Sequence, residues 1–70
     1  MNRIIGGVAF TADIVETSDG RVERLTTSIR GTPVQINRHE NDDEVTVFYK
    51  GRITRMKLEE VGRHLEMLNE

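Results

Sequence analysis

Two alternating segments that meet at Asp19-Gly20 constrain the fold of this chain more than any other feature. Asp-Gly is a strong signal for a two-residue hairpin turn, because both central positions of a type I′ turn need a positive φ. A turn there pairs residues whose numbers sum to 39, so that Ile14 faces Leu25. The same register makes two more pairs on that face, Ala12 with Thr27 and Phe10 with Ile29. A slip of one residue places Ile14 opposite Arg24 and scatters the apolar face, so the sequence predicts one defined inward face.

The segment before this turn, residues 3–17, alternates between apolar and polar side chains and is predicted to be one strand. Its inward side chains are Ile4, Val8, Phe10, Ala12 and Ile14, whereas Ile5, Ala9 and Val15 share the outer face. Gly6-Gly7 interrupts the alternation, which predicts a bend in the strand; close approach of another backbone or of a ligand is the alternative. The return strand is predicted over 21–30.

A second hairpin is predicted from strands at 33–38 and 44–50, with Pro33 at the strand start, where the missing N–H is tolerated. A turn centred on Asn41-Asp42 makes pairs that sum to 83 and sets Ile36 opposite Val47. A longer loop with pairs that sum to 81 sets Ile36 opposite Val45 instead. Both alternatives keep the same inward face.

Lys50-Gly51 predicts a further tight turn and a short strand over 52–56, with Phe48 opposite Ile53 and Thr46 opposite Arg55. The alternative is that the helix starts soon after Gly51. From residue 57 the period changes, and an amphipathic helix is predicted over 57–69. Its apolar stripe consists of Leu58, Val61, Leu65 and Leu68. Gly62 lies inside this helix at a cost of about 1 kcal/mol relative to alanine, which close packing against the sheet would offset.

The predicted fold is therefore α+β: a small antiparallel sheet or partly closed barrel of four to five strands, built from two to three hairpins, then one C-terminal amphipathic helix. All 70 residues are expected to form a single domain. Only 36% of the residues are apolar and 4% are aromatic, and apolar side chains occur on both faces of the strands. Such a lean core predicts oligomerisation or partner binding as a source of extra burial.

The residues that carry most chemistry are sparse, which predicts a protein that is not an enzyme and that uses no cofactor or metal. There is no cysteine and no Gly-x-Ser-x-Gly motif, and the two histidines, His39 and His64, lack metal-ligand spacing. No apolar run reaches the ~18 residues of a membrane span. A cytoplasmic location is expected, since the apolar start of the chain is cut by Gly6-Gly7 and predicts a strand rather than a signal peptide.

Two binding functions remain. The first is a protein-binding module, such as an inhibitor, adaptor or regulatory subunit, which is homo-oligomeric and docks on a basic surface of a protein target through Glu40, Asp42, Asp43 and Glu44. The second is a nucleic-acid-binding β module that uses Arg24, Arg30, Arg52 and Arg55. The formal net charge of −2 favours the first.

Overall fold

Six β-strands and a helix follow one another along the chain in a computed structural model that describes residues 2–69. The elements are β1 (Asn2–Ile5), β2 (Val8–Thr17), β3 (Gly20–Ile29), β4 (Thr32–His39), β5 (Glu44–Tyr49), β6 (Arg52–Lys57) and α1 (Leu58–Leu68). The strands form one antiparallel sheet in sequence order. The sheet is not closed into a barrel, so β1 and β6 are its two edges in the described chain. The predicted α+β class is confirmed, with six strands rather than four to five.

The additional strand arises at Gly6-Gly7, where the prediction of one bent strand over 3–17 is wrong. Both glycines have positive φ, 57° and 77°, and they form a two-residue turn that sets Ile5 opposite Val8. Because paired residues share a face, this reversal moves Ile5 to the core side and Ile4 to the outer side. Ile4 is accordingly 77% exposed, whereas Ile5 packs against the core. The predicted faces of these two residues are exchanged.

The β2–β3 register differs from the predicted one by two residues. The observed pairs sum to 37, so that Ala12 faces Leu25 and Ile14 faces Glu23. The turn is Ser18-Asp19, and neither residue has a positive φ; Gly20 follows it with φ 120°. The Thr17 hydroxyl closes this turn, since it accepts the Asp19 N–H and donates to the Gly20 carbonyl. Gly20 thus supplies its positive φ after the turn rather than within a type I′ turn.

A shift of two residues preserves the inward face, but it changes which side chains the core covers. Phe10, Ala12, Leu25 and Ile29 are buried as predicted. Ile14, predicted to be inward and opposite Leu25, is 60% exposed. Its side chain belongs to the part of the sheet that lies beyond the core.

The later hairpins match their predicted registers. The β4–β5 pairs sum to 83, with Ile36 opposite Val47, which selects the turn centred on Asn41-Asp42. Lys50-Gly51 is a two-residue turn that sets Phe48 opposite Ile53. The fifth predicted strand is β6, and the helix begins directly after it, with Lys57 as its N-cap residue.

The core lies between one face of the sheet and α1. It consists of Phe10, Ala12, Leu25, Ile29, Val34, Ile36, Val45, Val47, Val61 and Leu65. Val61 and Leu65 are the buried part of the predicted helical stripe, and Leu58 and Leu68 pack against its margins. In the described chain no element covers the opposite face of the sheet, which we call the outer face.

Candidate protein-binding surfaces

Arg55 in β6 connects two groups of residues that the sequence assigned to different functions. Its guanidinium lies 3.1 Å from Asp42 Oδ2 and 3.3 Å from Glu44 Oε1. Asp42 also accepts the Glu44 N–H through Oδ1, so both of its carboxylate oxygens are engaged. The Glu44 N–H and then the Arg55 guanidinium lower the pKa of Asp42, while Asp42 and Glu44 raise the pKa of Arg55. Two of the four predicted acidic residues are therefore paired with one of the predicted nucleic-acid contacts.

The other two predicted acidic residues, Glu40 and Asp43, present their carboxylates differently. Both are exposed. Glu40 Oε2 accepts the Arg21 N–H at 3.1 Å, and the Glu40 N–H donates to the Arg21 carbonyl at 2.9 Å. Asp43 contributes its carbonyl to the Leu58 N–H at the start of α1, and its carboxylate makes no hydrogen bond or ion pair with residues 2–69.

Through these two hydrogen bonds, Glu40 connects the β4–β5 loop to the β2–β3 hairpin. Its carboxylate lies so close to Gly20 that a Cβ on that glycine would be 3.1 Å from Glu40 Oε2. The two turns at this end of the sheet are thereby held side by side, and each carries exposed carboxylates. We call this surface the acidic end and define it as Glu16, Asp19, Glu40 and Asp43. Sequence reasoning missed Glu16 and Asp19 as part of this surface, although Asp19 belongs to the Asp-Gly signal itself and Glu16 lies three residues before it.

The four predicted nucleic-acid contacts do not share one surface. Arg24 and Arg55 lie in one row of the outer face, three strands apart, which is roughly 14 Å between Cα atoms. Arg24 stands opposite Asp13 in β2. Arg30 is at the β3–β4 turn and donates to the Asn69 carbonyl. Arg52 faces the helix side, opposite Tyr49.

The edge of the sheet at β2 is a feature that the sequence analysis did not find, because it depends on the separation of β1 from β2 at the Gly6-Gly7 turn. The four residues of β1 pair only with Val8–Thr11, whereas β2 continues to Thr17. Over 13–17, β2 has no strand partner on that side within residues 2–69. Ile14, 60% exposed, lies in this open stretch.

A three-residue ion network lies beside that edge, on the helix side of the sheet. Glu23, opposite Ile14 in β3, is 12% exposed and lies between Arg3 at 3.0 Å and Arg38 at 3.8 Å. Arg3 and Ile14 line the same shallow hollow. The Arg3 side chain is still 42% exposed, so its guanidinium can donate to a second anionic group.

Comparisons with known proteins identify no family: no family model, curated protein or solved structure matches the chain. Within residues 2–69, no group of three or more His, Asp or Glu side chains is placed to hold a metal ion. In the same part of the chain, no helix has the length and apolar character that crossing a bilayer requires.

Proposed function

We propose that this chain is a protein-binding module, acting as an inhibitor, adaptor or regulatory subunit, and that its acidic end docks on a basic surface of a protein target. The observation that carries the proposal is the double contact between Glu40 and Arg21, which joins two carboxylate-bearing turns into one surface. A surface held in place before binding loses less conformational entropy when a partner docks.

The charge distribution supports a protein target with a basic surface. Asp19 and Asp43 are exposed, and their carboxylates make no ion pair or hydrogen bond with other described residues. Complementary potentials of this kind steer association and make its rate depend on salt. The basic residues near the acidic end, by contrast, are largely engaged: Arg21 with Glu16, Arg38 with Glu23 and Arg55 with Asp42.

The test compares two charge variants in affinity capture from nuclease-treated lysate of the native host. The first, Asp19→Asn with Asp43→Asn, removes two carboxylates of the acidic end without breaking a described side-chain bond. The control, Glu66→Gln, removes a carboxylate from the C-terminal part of α1, away from the acidic end. We expect the wild type and the control to retain the same protein in a salt-sensitive manner and the acidic-end variant to lose it.

Equal retention by both variants would contradict docking through the acidic end. Nucleic-acid binding is tested in parallel with labelled random-sequence single-stranded and duplex oligonucleotides. Salt-sensitive binding of these oligonucleotides that is lost in Arg24→Gln with Arg52→Gln would favour the nucleic-acid function instead.

A further inference from the structure

We propose that the open edge of β2 over 13–17 pairs antiparallel with the same edge of a second copy of this chain, centred on Val15. This inference goes beyond the proposed function: it specifies the self-association that the lean core predicts and names its interface. An open strand edge presents unpaired N–H and C=O groups, which a strand from another molecule can satisfy. Asn2, the first described residue of β1, pairs with Thr11, and β2 ends at Thr17, so 12–17 has no described strand partner on this side. The proposed pairing uses the last five of these residues.

The register follows from symmetry. A two-fold axis perpendicular to the sheet keeps each face continuous across the dimer, so paired residues must lie on the same face and their numbers must have an even sum. Centring on Val15 gives a sum of 30 and uses 13–17 of both copies. Val15 then faces its own counterpart on the outer face, and Asp13 faces the partner's Thr17. No carboxylate stands directly opposite another carboxylate.

The same register matches charge on the helix side of the sheet. Ile14 faces the partner's Glu16, and Ile14 lies level with Glu23, which the Arg3 guanidinium contacts. The partner's Glu16 therefore comes beside Arg3, which is 42% exposed. Among residues 2–69 of its own chain, Glu16 forms an ion pair with Arg21 alone, and both of those side chains are more than 65% exposed. The two-fold axis generates a second, equivalent Arg3–Glu16 pair. The interface also covers part of the exposed Ile14 side chain on each copy.

The other edge of the sheet is less suited to self-pairing. β6 carries Arg52 and Lys57 at its two ends, in addition to Arg55, which is paired with Asp42 and Glu44. Cationic side chains along an edge strand repel a second copy of the same strand. The β2 edge, in contrast, has Ile14 and Val15 at its centre. A pairing of five residues is at the low end of specific interfaces, so we expect dissociation in the micromolar range.

The first test measures mass by analytical ultracentrifugation across the micromolar range, starting from the 8.0 kDa monomer. Val15→Lys places two ammonium groups opposite each other at the axis and should weaken dimerisation about tenfold or more. Val22→Lys is the matched control, because Val22 is also half-buried and faces Val15 one strand further from the edge. It should leave the dimer largely intact.

The second test uses the absence of cysteine from the chain. Val15→Cys should form a disulfide dimer rapidly under mild oxidation, whereas Ile53→Cys, on the exposed β6 edge, should cross-link slowly. Arg3→Glu and Glu16→Arg should each weaken the dimer, and the two changes together should restore it.

Three results would overturn the proposal: a monomer throughout the range, faster cross-linking at position 53, or equal loss of the dimer in Val15→Lys and Val22→Lys with both retaining native circular dichroism. If the wild type is monomeric and binds its target, and the Asp19→Asn, Asp43→Asn variant does not bind it, this interface alone is overturned. If Val15→Lys abolishes the dimer and the Asp19→Asn, Asp43→Asn variant still binds the target, the interface is supported and docking through the acidic end is contradicted.

Discussion

The backbone of Gly6 in the β1–β2 turn lies directly against the backbone of Gly62 in α1. A Cβ on Gly6 would be 2.8 Å from Gly62 Cα and 2.9 Å from the Gly62 carbonyl oxygen. A Cβ on Gly62 would meet Gly6 Cα at 3.5 Å, which is ordinary van der Waals contact. The contact therefore requires glycine in the turn more strictly than in the helix.

This asymmetry predicts opposite effects for two alanine substitutions. Gly62→Ala should be neutral or stabilising by up to about 1 kcal/mol, because alanine favours the helix and its methyl group fits. Gly6→Ala should destabilise by more than the roughly 1 kcal/mol expected for a left-handed residue alone, because its methyl group collides with backbone. Gly7→Ala is the control, since φ there is also positive, 77°, but a Cβ meets nothing within 4 Å. Urea unfolding measures all three, and equal losses for Gly6→Ala and Gly7→Ala would contradict the close contact.

The Asp42–Arg55 pair predicts a pH dependence of stability. The pKa of Asp42 is lowered in the folded chain, so its contribution to stability is present above the unfolded pKa and is lost as the pH falls through the folded pKa. Asp42→Asn keeps an acceptor for the Glu44 N–H but removes the charge. We expect a small destabilisation at neutral pH that disappears in acid. Thermal melts from pH 7 down to pH 2 measure it, and a difference that grows in acid would reverse the assignment.

Phe10 is expected to dominate the core. It is 1% exposed in β2, within the core between the sheet and α1, and Phe10→Ala should cost about 3–5 kcal/mol. Since small domains are often stable by only about 5 kcal/mol, the variant should be largely unfolded. Ile29→Val, in the same core, should cost only about 0.5–1.5 kcal/mol and remain folded. Far-UV circular dichroism distinguishes these outcomes, and a cooperative, scarcely shifted melt for Phe10→Ala would show that Phe10 is not essential to the core.

Face assignments in the three strands β4, β5 and β6 were predictable from the sequence, because apolar and polar side chains alternate along β4 and β5 and the turns between these strands were located correctly. Lys50-Gly51 gave the β5–β6 register, and the alternation around Ile36 and Val47 defined the inward face of β4 and β5. The Gly6-Gly7 turn was misassigned because only a short apolar stretch precedes it, which continues the alternation of the next strand. In the first hairpin, the Thr17 hydroxyl donates to the Gly20 carbonyl and so favours a turn whose register sum differs by two from the predicted sum. The alternation of apolar and polar residues does not reveal such a local side-chain hydrogen bond.

The candidate site was only partly predictable, for a related reason. The predicted β5–β6 register already set Thr46 opposite Arg55, which places Glu44 two residues away on the same face. Glu44 is thus a diagonal cross-strand neighbour of Arg55, and this neighbour relationship could have predicted the Glu44–Arg55 pair. The contact between Glu40 and Arg21, however, joins loops from different hairpins, and no local pattern specifies it.

Lys50 provides the last prediction, because it occupies a left-handed position that lysine rarely adopts. Its φ is 49° and that of Gly51 is 74°, as the two central residues of a type I′ turn require. Asparagine tolerates this conformation better, so Lys50→Asn should gain several tenths of a kcal/mol. The ammonium group lies 5.4 Å from the Tyr49 ring centre, and losing that contact offsets part of the gain. Lys50→Gln is the matched control, since it loses the same contact without the favourable turn residue. The difference between the two variants in urea unfolding isolates the turn, and a Gln variant as stable as the Asn variant would contradict the backbone explanation.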